Sequence, residues 1–156
     1  MGKSCEYALA ILQGKMTLAD VPSRYKAKVS NTLTDSAKLL EYAKLKQWEI
    51  IKEKRDSLES GGCPFMDSVL DSDVRSVTKL NVLVDATKIA GEDFTIVWTM
   101  QDGTNKLLTY NDILSIPIAL AQWSNTLHKK ARVYYERIYA AKTIDEVLDV
   151  EWEGTV

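Results

Sequence analysis

The stretch from Phe94 to Tyr110, FTIVWTMQDGTNKLLTY, decides the β part of the fold. Large side chains alternate along its first half and so share one face of a strand. These side chains are Phe94, Ile96, Trp98 and Met100. Asp102-Gly103 is typical of a tight turn, because glycine adopts a positive φ without steric cost, and residues 106–110 return as the second strand. A lone hairpin is marginally stable in water, so we expect this one to pack against a helix or to pair with a third strand.

Helical periodicity surrounds this hairpin on both sides. Helices are predicted before Gly14, after the Thr17–Asp20 capping pattern, from Asp35 or Ser36 to about Ser60, over 74–90, from about 110 to 141, and after Thr143. A strand competes with the helix at 74–90, where β-branched residues are frequent. Pro117 is expected to kink the long helix or to delay its start to Ser115. Residues 63–70 are predicted to be extended, and Trp152 to be a core plug or part of a third strand.

These elements predict a helix-dominated α+β fold in which N-terminal helices precede a compact domain with a β-hairpin packed on amphipathic helices. The charge changes sign along the chain: residues 1–60 carry a net charge of +3 and residues 61–156 a net charge of −5. Gly61-Gly62 marks the change. We therefore predict an N-terminal helical attachment region over 1–60 and a compact α+β domain over 61–156, which should fold without the first segment.

The residues that carry most enzyme chemistry are scarce. The 156 residues contain one histidine, His128, and two cysteines, Cys5 and Cys63, which are far apart in the sequence. Glycine-rich phosphate loops and nucleophile motifs are absent from the sequence. We therefore predict a non-enzyme with no catalytic residue, no cofactor and no metal. The net charge of −2 and the short apolar stretches indicate neither a nucleic-acid-binding nor a membrane-spanning protein.

Protein binding is the remaining class of function. The predicted helix from Asp35 to Ser60 combines a modest apolar stripe with strong charge, and such helices often gain stability by packing on a partner or on a second copy. The candidate partner-binding residues are Leu40, Tyr42, Leu45, Trp48 and Ile51. The competing interpretation is that this helix docks on its own domain. We also expect the protein to form a homo-oligomer.

From about Lys52 to Trp152 the chain resembles a family of phage proteins that is defined only as a domain of unknown function and occurs in or beside tail-fibre and tail-fibre-assembly genes. The resemblance rests on the order of several short motifs: Lys54-Arg55, Gly61-Gly62, Asp73 with Ser76, Val97-Trp98-Thr99, Asp102-Gly103, residues 140–147 and Glu151-Trp152. Cys63 departs from the aromatic residue expected after the two glycines. Residues 1–36 are similar to N-terminal segments of small phage tail-region proteins.

The resemblance implies a bacteriophage structural or virion-assembly protein. It would be a tail-fibre or baseplate constituent, or a tail-fibre assembly factor, and its partners would be tail-fibre or baseplate proteins. It would be located in the host cytoplasm during assembly and in the virion tail if it is a constituent. The alternative is a cytoplasmic helical adaptor or regulatory protein with no virion role.

Overall fold

The computed structural model describes residues 2–154 and confirms the predicted helix-dominated α+β class. Within that range the chain forms six helices and two antiparallel hairpins. The helices are α1 (Lys3–Leu12), α2 (Ser23–Leu33), α3 (Ser36–Ser60), α4 (Val74–Ala90), α5 (Tyr110–Ala140) and α6 (Ile144–Leu148). The strands are β1 (Cys63–Phe65), β2 (Ser68–Leu70), β3 (Thr95–Thr99) and β4 (Asn105–Thr109). Met1 and the last two residues, which belong to the predicted segments 1–60 and 61–156, lie outside the described residues.

The chain divides into two compact units. The first unit runs to Lys52 and resumes from Arg132 to Gly154, whereas the second contains Glu53–Ala131. The boundaries fall inside α3 and α5, so this division differs from the predicted one at Gly61-Gly62. Separate folding of residues 61–156 stays a prediction. Helix α5 explains the difference, because its residues from Arg132 onward belong to the unit of the N-terminal helices and not to the unit of the hairpins.

The second unit has its core between the hairpins, α4 and the first part of α5. Side chains that are almost fully buried there are Cys63, Phe65, Leu70, Leu80, Leu83, Val84, Met100, Leu108, Ile113 and Ile116. The register of β3 and β4 pairs Thr95 with Thr109 and Thr99 with Asn105. The predicted inner face is confirmed, since Phe94, Ile96 and Trp98 pack on the cluster that contains Met100.

A second hairpin occupies the segment that was predicted only as extended. In it β1 pairs with β2, and Cys63 lies opposite Leu70. Met66 takes a positive φ of 56° in the turn between these strands. The backbone N–H of Gln101 donates to the carbonyl of Val69 at 2.9 Å, which fastens this hairpin beside the end of β3. This contact joins residues far apart in sequence, so local patterning does not reveal it.

Residues 74–90, for which the sequence allowed a helix or a strand, form helix α4. Its N-cap is Asp73, which accepts hydrogen bonds from the backbone N–H groups of Arg75 at 2.9 Å and Ser76 at 3.2 Å. Such a cap satisfies donors that have no partner in the first turn, so the local sequence selects the helix. Helix α5 begins at Tyr110, and the alternative of a start delayed to Ser115 is therefore wrong.

The first unit has a separate core in which α1, α2 and the start of α3 meet. Ala8, Val21, Val29 and Leu39 are buried there, and partly buried side chains surround them. Helix α6 begins with the predicted capping box, in which Thr143 and Glu146 each accept from the other's backbone N–H. Trp152 is half-buried, its ring lies 5.3 Å from that of Tyr134, and it belongs to no strand, so the third-strand alternative is wrong.

Candidate protein-binding surface

The predicted partner-binding residues of α3 fall on two sides of the helix. Tyr42 and Ile51 are buried, with 7% and 1% of their surfaces exposed. Leu40 and Trp48 are half-buried, and Leu45 remains exposed. Tyr42 and Leu45 border the same depression, whereas the other three lie elsewhere on the unit. The structure therefore leaves only part of the predicted set available to a partner.

One side of α3 packs inside the first unit. Lys44 donates from Nζ to the carbonyl of Tyr139 at 3.1 Å, and Gln47 donates from Nε2 to the carbonyl of Val150 at 2.7 Å. The ring of Trp48 meets that of Tyr135 edge-on at 5.1 Å. Residues 44, 47, 48 and 51 recur at helical spacing, so they form one packed face. On this face the interpretation of α3 as a helix that docks on its own domain agrees with the contacts.

The other side of α3 faces α1 across two adjoining depressions of about 440 and 470 Å³, which share Glu6, Tyr42 and Lys46. We call this region the α1–α3 surface. It is lined by Gly2, Lys3, Glu6, Leu9, Ala10, Gln13, Lys15, Tyr42, Ala43, Leu45, Lys46, Gln47, Glu49, Ile50 and Leu148, of which Gln47 lies at the edge that adjoins the packed face. The exposed fractions of Leu45 and Ile50 are 42% and 54%. Residues 42, 45, 46 and 49 recur at the spacing of one helical face.

Two ion pairs border the α1–α3 surface. Lys3 lies 3.0 Å from Glu6 on α1, and Lys46 lies 2.7 Å from Glu49 on α3. The hydrogen bond between Lys46 and Glu49 raises the pKa of the amine and lowers the pKa of the carboxyl. Burial raises the pKa of Tyr42, whose phenol remains neutral at physiological pH. Both signs of charge thus surround apolar side chains, an arrangement typical of protein-binding surfaces.

Ile50 belongs to this surface but not to the set of partner-binding residues predicted from the sequence. Ile50 and Ile51 are adjacent, and a helix turns by about 100° per residue, so one face cannot bury both. Ile51 is buried and Ile50 is exposed. The adjacent pair is the available signal that one isoleucine faces outward. Leu40 lies apart, in a third depression that Leu12 and Ile144 also line.

Other reactive groups are few in the part of the chain that the structure describes. His128 Nε2 lies 3.4 Å from Glu59 Oε2, although no carboxylate adjoins this histidine in sequence. Among residues 2–154, no group of three or more His, Cys, Asp or Glu side chains is arranged to hold a metal ion. Over the same range no helix is both long and apolar enough to cross a membrane. Both cysteine thiols are free and buried.

Fold and surface together define a helix-dominated α+β protein with a mixed apolar and charged groove on its N-terminal helices. Residues 42–151 match the domain of unknown function DUF4376, and the chain belongs to that family. The match overlaps the region 52–152 for which the motifs indicated such a family, and it includes most of α3. No curated protein and no solved structure matches the chain.

Proposed function

We propose that this chain is a non-enzymatic bacteriophage tail-region protein that binds a tail-fibre or baseplate protein through the α1–α3 surface. The observation that carries the proposal is the exposed pair Leu45 and Ile50 beside a groove that ion pairs border. The tail assignment is supported by the resemblance of the ordered motifs to tail-fibre-associated proteins. Such a protein is either a virion constituent or an assembly factor.

The occupant that fits this surface is an amphipathic helix of the partner. Leu45 and Ile50 lie about 140° apart around α3, one in each of the two adjoining depressions, so the partner helix would span both depressions. Its apolar residues would cover Leu45 in one and Ile50 in the other, which removes apolar surface from water. Its charged residues would meet Lys46 and Glu49, and the partner therefore needs both signs of charge at its border. The hydrogen bonds of Lys44 and Gln47 hold the other side of α3 in place. The helix therefore presents its exposed apolar and charged side chains without having to fold on binding.

The test uses the full chain, because deletion of residues 1–60 would also remove Lys44 and Gln47, which hold the carbonyls of Tyr139 and Val150. The full-length protein is co-expressed with phage tail-fibre and baseplate proteins, and complexes are isolated by affinity purification. The double variant Leu45→Lys, Ile50→Lys should lose the complex. The matched control is Leu18→Lys, at an exposed leucine of similar exposure outside the surface, and it should retain the complex.

A wild-type chain that binds none of these tail proteins would contradict the proposal. A stable complex with a host cytoplasmic protein instead would favour the adaptor alternative. Quantification of the chain in purified particles then separates the two tail roles. A fixed number of copies per particle indicates a constituent, whereas its absence from particles together with a complex in the cell indicates an assembly factor.

A further inference from the structure

Strand β3 pairs with β4 along one edge only, and the turn shows which backbone groups use that edge. The N–H of Met100 donates to the carbonyl of Thr104 at 2.8 Å, so Met100 faces β4. Successive residues of a strand direct their backbone groups to alternate sides. Every second residue back from Met100 therefore also faces β4, whereas Thr95, Val97 and Thr99 direct their N–H and C=O groups away from it.

This second edge of β3, which we call the free edge, has no partner strand in the part of the chain that the structure describes. Its N–H and C=O groups make no hydrogen bond within residues 2–154. Proteins usually block such an edge with charged side chains, proline or a bulge. Strand β3 reads TIVWT and its register with β4 is unbroken, so none of these devices is present in it.

The outer edge of β4 is blocked, in contrast. The N–H of Thr109 points away from β3 and donates to Asp112 Oδ2 at 2.9 Å. Lys106 places a charge on the inner face of β4, where it forms an ion pair with Asp67. An inward charge of this kind is one of the ways in which proteins prevent a strand from pairing further. The hairpin is therefore open to a third strand beside β3 and closed beside β4.

A depression of about 430 Å³ lies along the free edge. Residues 96–100 line one side of it, and Asp71, Ser76 and Lys79 line the rest. Asp71 and Lys79 are exposed, and neither of them makes an ion pair within residues 2–154. The groove therefore offers one carboxylate and one amine to an incoming chain.

The path of the chain orders these two charges along β3. The carbonyl of Val69 accepts from the N–H of Gln101 at 2.9 Å, so Asp71, two residues after Val69, lies at the C-terminal end of β3. Helix α4 begins there, and residues 91–94 lead from its end back to the start of β3. Lys79 therefore lies farther toward the N-terminal end of β3 than Asp71 does.

We propose that the free edge of β3 binds an extended segment of a second partner protein, which adds to the hairpin as an antiparallel third strand. Each of Thr95, Val97 and Thr99 then exchanges two backbone hydrogen bonds with the residue opposite it. In the antiparallel direction the N-terminal end of the segment lies near Asp71 and its C-terminal end near Lys79. The segment that fits has a basic residue followed, two residues later, by an acidic one.

The pleat of the sheet explains this spacing. The side chains opposite Trp98 and Ile96 point to the face on which α4 packs, so they meet the charges of the groove. The residue between them lies opposite Val97 and shares its exposed face. A β-branched apolar residue there forms a favourable cross-strand pair with Val97, which is otherwise 61% exposed.

A second copy of β3 fits this edge less well. A two-fold axis perpendicular to the sheet relates two antiparallel strands, so both α4 helices would lie on the same face of the joined sheet. Ser76 and Lys79 of α4 already line the groove at that joint. Two copies would therefore place two helices in one space and bring two Lys79 amines together, whereas a single extended segment brings no helix.

The probe is a labelled peptide with the core Thr-Lys-Val-Glu-Thr, titrated with the full chain and followed by fluorescence anisotropy. The anisotropy should rise to saturation at protein concentrations below about 1 mM. The control peptide has the same sequence with an N-methyl group on its central valine, which removes the donor to the carbonyl of Val97. It should bind at least about tenfold more weakly, since main-chain hydrogen bonds supply the affinity in strand addition.

Val97→Pro locates the peptide on the protein. Its N–H points away from β4, so proline removes no hydrogen bond of the hairpin and blocks only the free edge. Binding should fall at least about tenfold. The matched control is Leu107→Pro, directly opposite on β4 with an exposed fraction of 62% against 61% for Val97. The N–H of Leu107 also points away from the ladder, and this variant should bind as the wild type does.

Lys79→Glu tests the charge order. This variant should bind the original peptide more weakly, and it should bind a peptide with lysine in place of the glutamate more tightly than the wild type does. The control Lys129→Glu makes the same change in net charge at an exposed residue of α5 that does not line the groove. It should change neither affinity by a comparable factor.

A wild type that leaves the anisotropy unchanged up to about 1 mM overturns the proposal. Equal affinity of the N-methylated peptide overturns it as well, because the backbone of the segment then does not pair. Binding that survives Val97→Pro would show that the peptide lies elsewhere. Sedimentation equilibrium without peptide tests the other occupant: a dimer that Val97→Pro abolishes would assign the free edge to a second copy and contradict the proposal. Far-ultraviolet circular dichroism checks that each variant remains folded.

Discussion

Substitution of Gly62 by alanine tests the close packing of Val69 and Gln101 against this glycine in the second unit. Gly62 has a φ of 136°, and an added Cβ would lie 2.6 Å from Val69 Cγ1 and 2.6 Å from Gln101 Oε1. Ordinary contacts between carbon atoms are about 3.5–4.0 Å. Gln101 cannot move away freely, because its Nε2 donates to the carbonyl of Gly61 at 2.7 Å.

Two costs add in Gly62→Ala. A side chain in this region of φ costs about 1–2 kcal/mol, and forcing a methyl group into a filled site costs about 1–3 kcal/mol more. The free energy of unfolding should therefore fall by about 2–5 kcal/mol. The matched control is Gly103→Ala, where φ is 82° and no atom lies within 4 Å of the added Cβ. Its free energy of unfolding should fall only by the backbone cost of about 1–2 kcal/mol.

Urea denaturation followed by circular dichroism and tryptophan fluorescence measures both variants. The midpoint of Gly62→Ala should lie clearly below that of Gly103→Ala, at unchanged slope. Equal midpoints would refute it, because the close approach of Val69 and Gln101 to Gly62 would then contribute nothing.

Three further predictions concern single side chains. Asp73→Ala should lower the thermal midpoint of unfolding, whereas Asp71→Ala should not. The hydrogen bond from Ser76 lowers the pKa of Asp73. The stabilisation by the Asp73 carboxylate is therefore complete above the unfolded-state pKa of 3.8 and is lost as the pH falls through the lower folded-state pKa. Burial raises the pKa of the Cys63 thiol, so at pH 8 it should react with a thiol reagent only when the protein unfolds, and a rapid native reaction would contradict its burial. Gln47→Ala leaves a buried carbonyl without its donor and should cost about 1–3 kcal/mol in urea denaturation; an unchanged midpoint would contradict this role.

Local signals in the sequence predicted most of the elements. The hairpin at β3 and β4 depends on alternation and on the Asp102-Gly103 turn, and helix α6 depends on its capping box, all within a few residues of one another. Hairpin β1–β2 was missed as a hairpin, since its strands have three residues each and its attachment to Gln101 is distant in sequence.

The candidate site was predicted less completely, for a physical reason. The sequence predicted that α3 is the binding helix, but its apolar residues surround much of the helix, and periodicity does not say which face a partner would cover. Gln47 and Val150 are 103 residues apart in the sequence, and their hydrogen bond helps to hold one side of α3 against the first unit. Ile51 is buried on that side, whereas Leu45 and Ile50 face outward. His128 and Glu59 are likewise far apart in the sequence, so periodicity does not reveal that the fold brings them together.

Hydrogen exchange of the full chain, measured with and without a purified phage tail-fibre or baseplate protein, shows whether a tail protein binds the α1–α3 surface. Binding there should slow exchange in α1 and in the part of α3 around Leu45 and Ile50, with no comparable change in β3 and β4. Slower exchange confined to other elements, with α1 and α3 unchanged, would contradict binding through this surface.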